Sequence, residues 1–171
     1  MQFDYRPLGP DDWRAWHALF LEGVRDFPMG FLVTPAETEA RSEEHCRKIL
    51  ANNTSRGVFT NGRLAGCCSY RPQSLERTRH RAEIGPFFVS RAFHGTGAAD
   101  VLMTGVIQEA RDAGIIEQLE LFVDTENHRA IGLYQRHGFK RVAIFPNGVR
   151  IDGCSRDAHF CILRLNKPEQ A

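Results

Sequence analysis

The run "FHGTGAAD", residues 93–100, thins its side chains where the apolar stretch Phe87-Phe88-Val89 meets a helix-like segment. Such a junction has a chemical use. A helix start carries N–H groups without intrahelical acceptors and a partial positive charge. With no bulky side chain in the way, an anion can rest on those amides. Gly95, Gly97, Ala98 and Ala99 supply that openness, although a tight turn with close helix–sheet packing would also favour small residues. Two phosphate-binding patterns fail on the residues present. A P-loop needs Lys and then Ser or Thr, and here Ala98 follows Gly97. A dinucleotide loop needs a third glycine where Asp100 stands, and that side chain would face a pyrophosphate.

A second set of candidates lies in "LELFVDTENHRAIGLYQRHGF", residues 119–139. Tyr134 follows Asn127 by seven residues, so the two share a helix face about 10 Å apart along the axis. Asn127 is also a good N-cap, and Tyr134 could equally fill a core with its hydroxyl satisfied.

These residues need elements to position them. "QFDYRPL" reads as a first strand. Asp11 or Asp12 can cap a helix carrying Trp13, Trp16, Leu19, Phe20 and Val24 at helical spacing. "RDFPMGFLV" reads as a loop. Thr34-Pro35-Ala36-Glu37 has the form of a capping box and predicts a second helix running to about Leu50. Two strand-like runs around Asn61-Gly62 predict a hairpin. "AEIGPFFVS" reads as a buried strand, interrupted by Pro86, which suits a strand leaving its neighbour. After the glycine loop, the spacing predicts a helix with Ala99, Leu102, Met103, Val106 and Ala110 on one face, stopped by Gly114. "QLELFV" is a strand, and "NHRAIGLYQRH" a helix ended by Gly138. "FKRVAIF" and "AHFCILRL" are two last strands, joined by "PNGVRIDGCSRD". Short turns favour antiparallel pairing early in the chain, and the strand–helix–strand around the glycine loop favours a parallel pair. The expected architecture is α/β (α+β): one domain over residues 1–171, with a mixed sheet of about seven strands and helices on both faces.

"HGTGAA" after "AEIGPFFV" resembles the Q/R-x-x-G-x-G/A signature of the GNAT acyl-CoA N-acyltransferase superfamily. His94 stands at the Gln/Arg position, Gly97 at the fourth and Ala99 at the sixth. Asn127, Ala130, Leu133-Tyr134 and Gly138-Phe139 resemble the family's next strand and helix. The close likeness covers Glu83 to Phe139, about a third of the chain.

The resemblance implies transfer of an acetyl group from acetyl-CoA to a primary amine by direct attack in a ternary complex, with no metal. It implies that His94, Gly95, Thr96, Gly97, Ala98 and Ala99 hold the CoA pyrophosphate, largely through backbone amides. It implies that Phe87, Phe88 and Val89 bond the pantetheine arm through their backbone, with Asn127 as a further contact. Tyr134 would protonate the leaving thiolate. An ammonium must lose a proton before it attacks, and a carboxylate can take it. Glu83, at the start of the strand leading to the loop, is the candidate base; its alternative is a salt bridge with Arg79 or Arg81. Glu22, Asp26, Asp152 and His159 are further candidates. His94 departs from the family pattern, offering the pyrophosphate less charge than arginine. A non-catalytic acyl-CoA-binding domain on the same fold is the other function class these residues fit.

The remaining composition narrows the partners. A net charge of +1 argues against nucleic acid or an anionic membrane as a partner held by bulk charge. The basic run "RPQSLERTRHR" is diluted by Glu76 and reads as a solvated loop. No apolar run approaches the roughly 20 residues that span a bilayer. The polar N-terminus does not read as a secretory signal. Five cysteines at irregular spacing fit reduced thiols in a cytoplasmic protein better than a disulfide framework or a zinc site. The expected acceptor is a small-molecule amine or a peptide amine. Many relatives dimerise, which leaves a homodimer as an option.

Overall fold

A computed structural model describes residues 1–165; residues 166–171 of the expected single domain lie outside the described residues. Seven strands form one mixed sheet in the order β1-β2-β3-β4-β5-β7-β6. The contacts of the chain divide it into two compact units, Met1–Ser69 with Pro86–Gly105, and Tyr70–Gly85 with the chain from Val106 onward.

In the first unit, strand β1 (Asp4–Pro7) pairs antiparallel with β2 (Ser55–Thr60), which pairs antiparallel with β3 (Arg63–Pro72). The β2–β3 turn is Asn61-Gly62, with φ of 47° and 75°, the left-handed pair that a two-residue hairpin needs. Helix α1 (Trp13–Asp26) buries Trp16, Leu19, Phe20, Gly23 and Val24, a single stripe at helical spacing. That stripe joins Leu8, Phe31, Cys46, Leu50, Cys67 and Phe88 in one apolar core. Gly23 is glycine because a Cβ there would lie 2.5 Å from the Phe31 ring and 2.9 Å from that of Phe88.

The second helix expected from Thr34 is two helices. The capping box forms: the Thr34 side chain accepts from the Glu37 N–H, and the Glu37 carboxylate accepts from the Thr34 N–H. Helix α2 (Pro35–Glu39) then stops, and Ser42 caps α3 (Glu43–Ala51) by accepting from the His45 N–H at 3.2 Å. Serine competes for backbone bonds inside a helix but stabilises a start, and Glu43-Glu44 suit the first turn of a new one.

In the second unit, β5 (Gln118–Asp124) pairs antiparallel with β7 (Cys154–Arg164), and β7 with β6 (Lys140–Ile151). The segment expected to connect the last two strands is itself strand. The turn is the two-residue Asp152-Gly153, with φ of 49° and 78°. "PNG" is instead an irregularity within β6, between Phe145 and Val149. There the Asn147 N–H donates to Asp157, and Ser155 Oγ donates to the Asn147 side chain. Helix α5 (His128–Arg136) follows β5 and ends before Gly138, at φ 87°.

Helix α4 (Ala98–Asp112) buries Ala98, Leu102, Met103, Val106, Ile107 and Ala110, and Gly114 at φ 70° follows it. The expected face is correct except at its first position: Ala98 is buried in place of Ala99. Among the described residues, no helix is long and apolar enough to cross a membrane.

Candidate functional site

Strand β4 (Arg81–Val89) carries the approach to the glycine loop. Its parallel ladder with β5 pairs Arg81 with Gln118, Ala82 with Leu119 and Glu83 with Glu120, and stops there, ahead of Pro86. A proline cannot donate to a ladder, so the expected departure of this strand from its neighbour is observed. In the first unit, the chain beyond Pro86 stays tied to β3, with the Ser90 N–H donating to Ala65 O.

The loop itself has the geometry that its glycines allow. Gly95 has φ 74° and Gly97 φ 90°, values that side-chain-bearing residues rarely adopt. A Cβ built on either would meet no protein atom within 4 Å. These glycines are therefore not required by packing. They serve the backbone conformation and leave open space beside it. The Val101 N–H donates to Gly97 O, which closes the first turn of α4. Helix geometry then leaves the Ala98 and Ala99 N–H groups without intrahelical acceptors. An anionic group such as a pyrophosphate fits this cradle, which offers amides and excludes side chains.

His94 does not hold its imidazole as a free counter-charge. Its Nε2 lies 2.9 Å from Val89 O, and since a carbonyl only accepts, this nitrogen carries the proton and donates. The Thr96 hydroxyl donates to Phe93 O at 2.7 Å. Both side chains thus fasten the loop to backbone just before it. The carbonyl of Val89, one of the groups expected to face pantetheine, is engaged by His94.

The second unit holds Glu83, Asn127 and Tyr134. Glu83 pairs with Arg71 at 2.6 Å; neither Arg79 nor Arg81 is that partner. Arg81 instead donates to both oxygens of Glu120, at 3.1 and 3.0 Å. Glu120 is buried, and the sequence reading did not single it out. Asn127 caps α5, its Oδ1 accepting from the Ala130 N–H at 3.2 Å. Tyr134 is buried, its ring edge-on to Phe139 at 5.9 Å.

The turn that launches α5 is anchored by residues the sequence reading missed. Asp124 is buried and receives Arg156 through Nε at 2.6 Å and Nη2 at 2.8 Å. Burial pushes the Asp124 carboxyl up. The hydrogen bonds from Arg156 and the Glu126 N–H, with the charge of Arg156, outweigh it and hold the group below the usual carboxylate range. The partners stand 32 positions apart, so no local pattern joins them.

Glu22 accepts from the Arg91 N–H, and Asp26 lies 3.6 Å from the Arg91 guanidinium. Asp152 is in the β6–β7 turn. His159 Nδ1 is buried with no hydrogen-bond partner among the described residues. All five cysteines are free and four are buried; desolvation pushes the Cys67 thiol up to about 12, far from a nucleophile.

Comparison with known proteins adds the family. The profile of the acetyltransferase (GNAT) family matches residues 16–139. Mycothiol acetyltransferase of Salinispora tropica is 30% identical over 146 residues, covering 84% of this chain and 45% of that protein. The chain thus spans a little under half the length of the curated relatives it matches. Among solved structures, the ribosomal-protein-alanine N-acetyltransferase of Brucella melitensis superposes with a TM-score of 0.82 at 21% identity, over 95% of this chain and 99% of that one. The protein yncA of Salmonella typhimurium, solved with its cofactor acetyl-CoA, superposes with a TM-score of 0.82 at 19% identity, over 98% and 96%. At these identities the structural likeness is one of fold. The profile match covers most of the sequence, and the chain belongs to the GNAT acetyltransferase family.

Proposed function

We propose that this protein transfers an acetyl group from acetyl-CoA to a primary amine of a small molecule or peptide. The observation that carries the reading is the loop from Gly95 to Ala99. Its two glycines adopt left-handed backbone with nothing filling the space beside them, at the start of a 15-residue helix. The family match and a fold neighbour solved with acetyl-CoA support the choice of anion. Acetyl-CoA supplies the activated thioester. The chain supplies the rest. His94, Gly95, Thr96, Gly97, Ala98 and Ala99 receive the pyrophosphate, mainly on N–H groups. Phe87 and Phe88 offer backbone groups to the pantetheine arm, and Val89 its N–H.

Tyr134 is proposed to give a proton to the departing sulfur, and Glu83 to draw one from the ammonium of the acceptor. The Arg71 guanidinium lies 2.6 Å from the Glu83 carboxylate and fixes its position on β4. Asn127 positions the start of α5. Relatives include a mycothiol acetyltransferase and a ribosomal-protein-alanine N-acetyltransferase, so both small-molecule and peptide acceptors are reasonable starting points.

Release of free CoA, followed with a thiol reagent across a panel of amines and peptides, tests the reading. Amine-dependent release supports it. Tight CoA binding without release on any amine would favour the non-catalytic acyl-CoA-binding alternative.

A further inference from the structure

We infer, building on the CoA reading above, that Phe27 is a positioning residue for the glycine loop and acts through His94. Phe27 closes helix α1 and belongs to no motif. Its ring lies 5.9 Å from the His94 imidazole and 5.9 Å from the Phe88 ring. The Arg91 guanidinium sits over the same ring at 5.8 Å, and Arg91 also pairs with Asp26 and gives its N–H to Glu22. The last turns of α1 therefore grip residues 88–94 at several points, all inside the first unit.

His94 is held from two sides. Its Nε2 donates to Val89 O, and Phe27 packs against the ring. Gly95 follows immediately. A glycine-containing loop has many conformations to lose, and an anion that must order it binds more weakly for that reason. Fixing the residue ahead of Gly95, with Thr96 fastened to Phe93 O, sets the loop amides in place before any ligand arrives. Position 94 then contributes order in place of the charge an arginine would bring, and Phe27 keeps its imidazole in register.

Calorimetric CoA titration of wild type, Phe27→Leu, Phe27→Tyr, His94→Gln and the double variant Phe27→Leu/His94→Gln tests this, with amide exchange of residues 95–99 measured in the ligand-free proteins. Phe27→Leu is expected to weaken CoA by about 5- to 10-fold, the scale of a lost ordering contribution, and to speed exchange in the loop. Phe27→Tyr keeps the ring and is expected to bind like wild type. The double variant is expected to be no weaker than the weaker single one, because both remove the same support. If Phe27→Leu fails to fold, Phe27→Met, which fills the volume without an aromatic face, carries the same expectation. Wild-type affinity in Phe27→Leu, equal loss in Phe27→Tyr, or additive losses in the double variant would overturn the inference while leaving the CoA reading standing. Failure of the wild type to bind CoA would remove both.

Discussion

Arg156 on β7 clasps Asp124 at the end of β5 with two charge-assisted hydrogen bonds, Nε to Oδ2 at 2.6 Å and Nη2 to Oδ1 at 2.8 Å. The same carboxylate accepts from the Glu126 N–H, and Arg156 reaches Glu126 at 3.0 Å. The backbone carbonyl of Asp124 accepts from the Asn127 N–H. One ion pair with a buried carboxylate thus sets the turn from which α5, and with it Tyr134, departs.

Removing one partner of that pair leaves a buried charge uncompensated. Arg156→Gln is expected to lower the unfolding midpoint, because the Asp124 carboxylate left behind is buried. Replacing both partners by apolar residues, as in Asp124→Leu/Arg156→Met, should cost less than Arg156→Gln alone. Urea-unfolding midpoints for the variants provide the comparison, and a single variant as stable as wild type would remove the anchoring role.

The same pair sets a pH dependence. Asp124 is held below its ordinary value in the folded chain, so the unfolded chain binds its proton first as pH falls. Its stabilisation is complete above the unfolded carboxylate value, about 3.9, and drains away as pH drops from there toward the folded value. Asp12 is lowered in the same direction, through the hydrogen bond from Arg6 and then that from the Gly9 N–H, but Arg6 is half exposed and its share is small. Unfolding midpoints between pH 6 and pH 2.5 should fall more steeply in wild type than in Asp124→Asn. Parallel curves would assign the acid sensitivity elsewhere.

These residues also mark what the sequence could disclose. Features written in one residue's backbone preference were readable: Asn61-Gly62 turns a hairpin, and Thr34 with Glu37 closes a capping box. Asp152-Gly153 carried the same hairpin signal but sat beside Pro146-Asn147-Gly148, and the two together read as one long loop. Pairings that depend on register were not readable. Arg71 meets Glu83 across 12 positions and Arg156 meets Asp124 across 32, and nothing local selects Arg71 over Arg79 or Arg81. Of the candidate site, the small residues of the loop stand out in the sequence, whereas the side-chain pairings between distant strands do not.

Gly97→Ala separates strain from ligand contact. At φ 90° the added methyl meets no protein atom, so the stability cost is the backbone penalty alone, about 1–2 kcal/mol. If the empty space beside Gly97 receives a phosphate, CoA affinity of the folded variant should fall as well, by at least about 10-fold, a binding loss of roughly 1.4 kcal/mol separate from the stability cost. Calorimetric titration beside thermal unfolding reads both. A stability loss with CoA affinity intact would show that the glycine serves the turn only.

Tyr134→Phe tests the proton-donor role directly. The substitution keeps the ring that stands edge-on to Phe139 at 5.9 Å, so folding and CoA affinity should stay close to wild type. Only the hydroxyl is lost. If that hydroxyl protonates the leaving sulfur, turnover on the best amine of the panel should fall by about 100-fold or more, the usual scale for a positioned proton donor. The loss should be smaller for an acyl donor whose thiol leaves readily without a proton, because the hydroxyl then has less to contribute. Equal rates for Tyr134→Phe and wild type on both donors would leave Tyr134 as a packing residue and return the search for the acid to the other groups of the second unit.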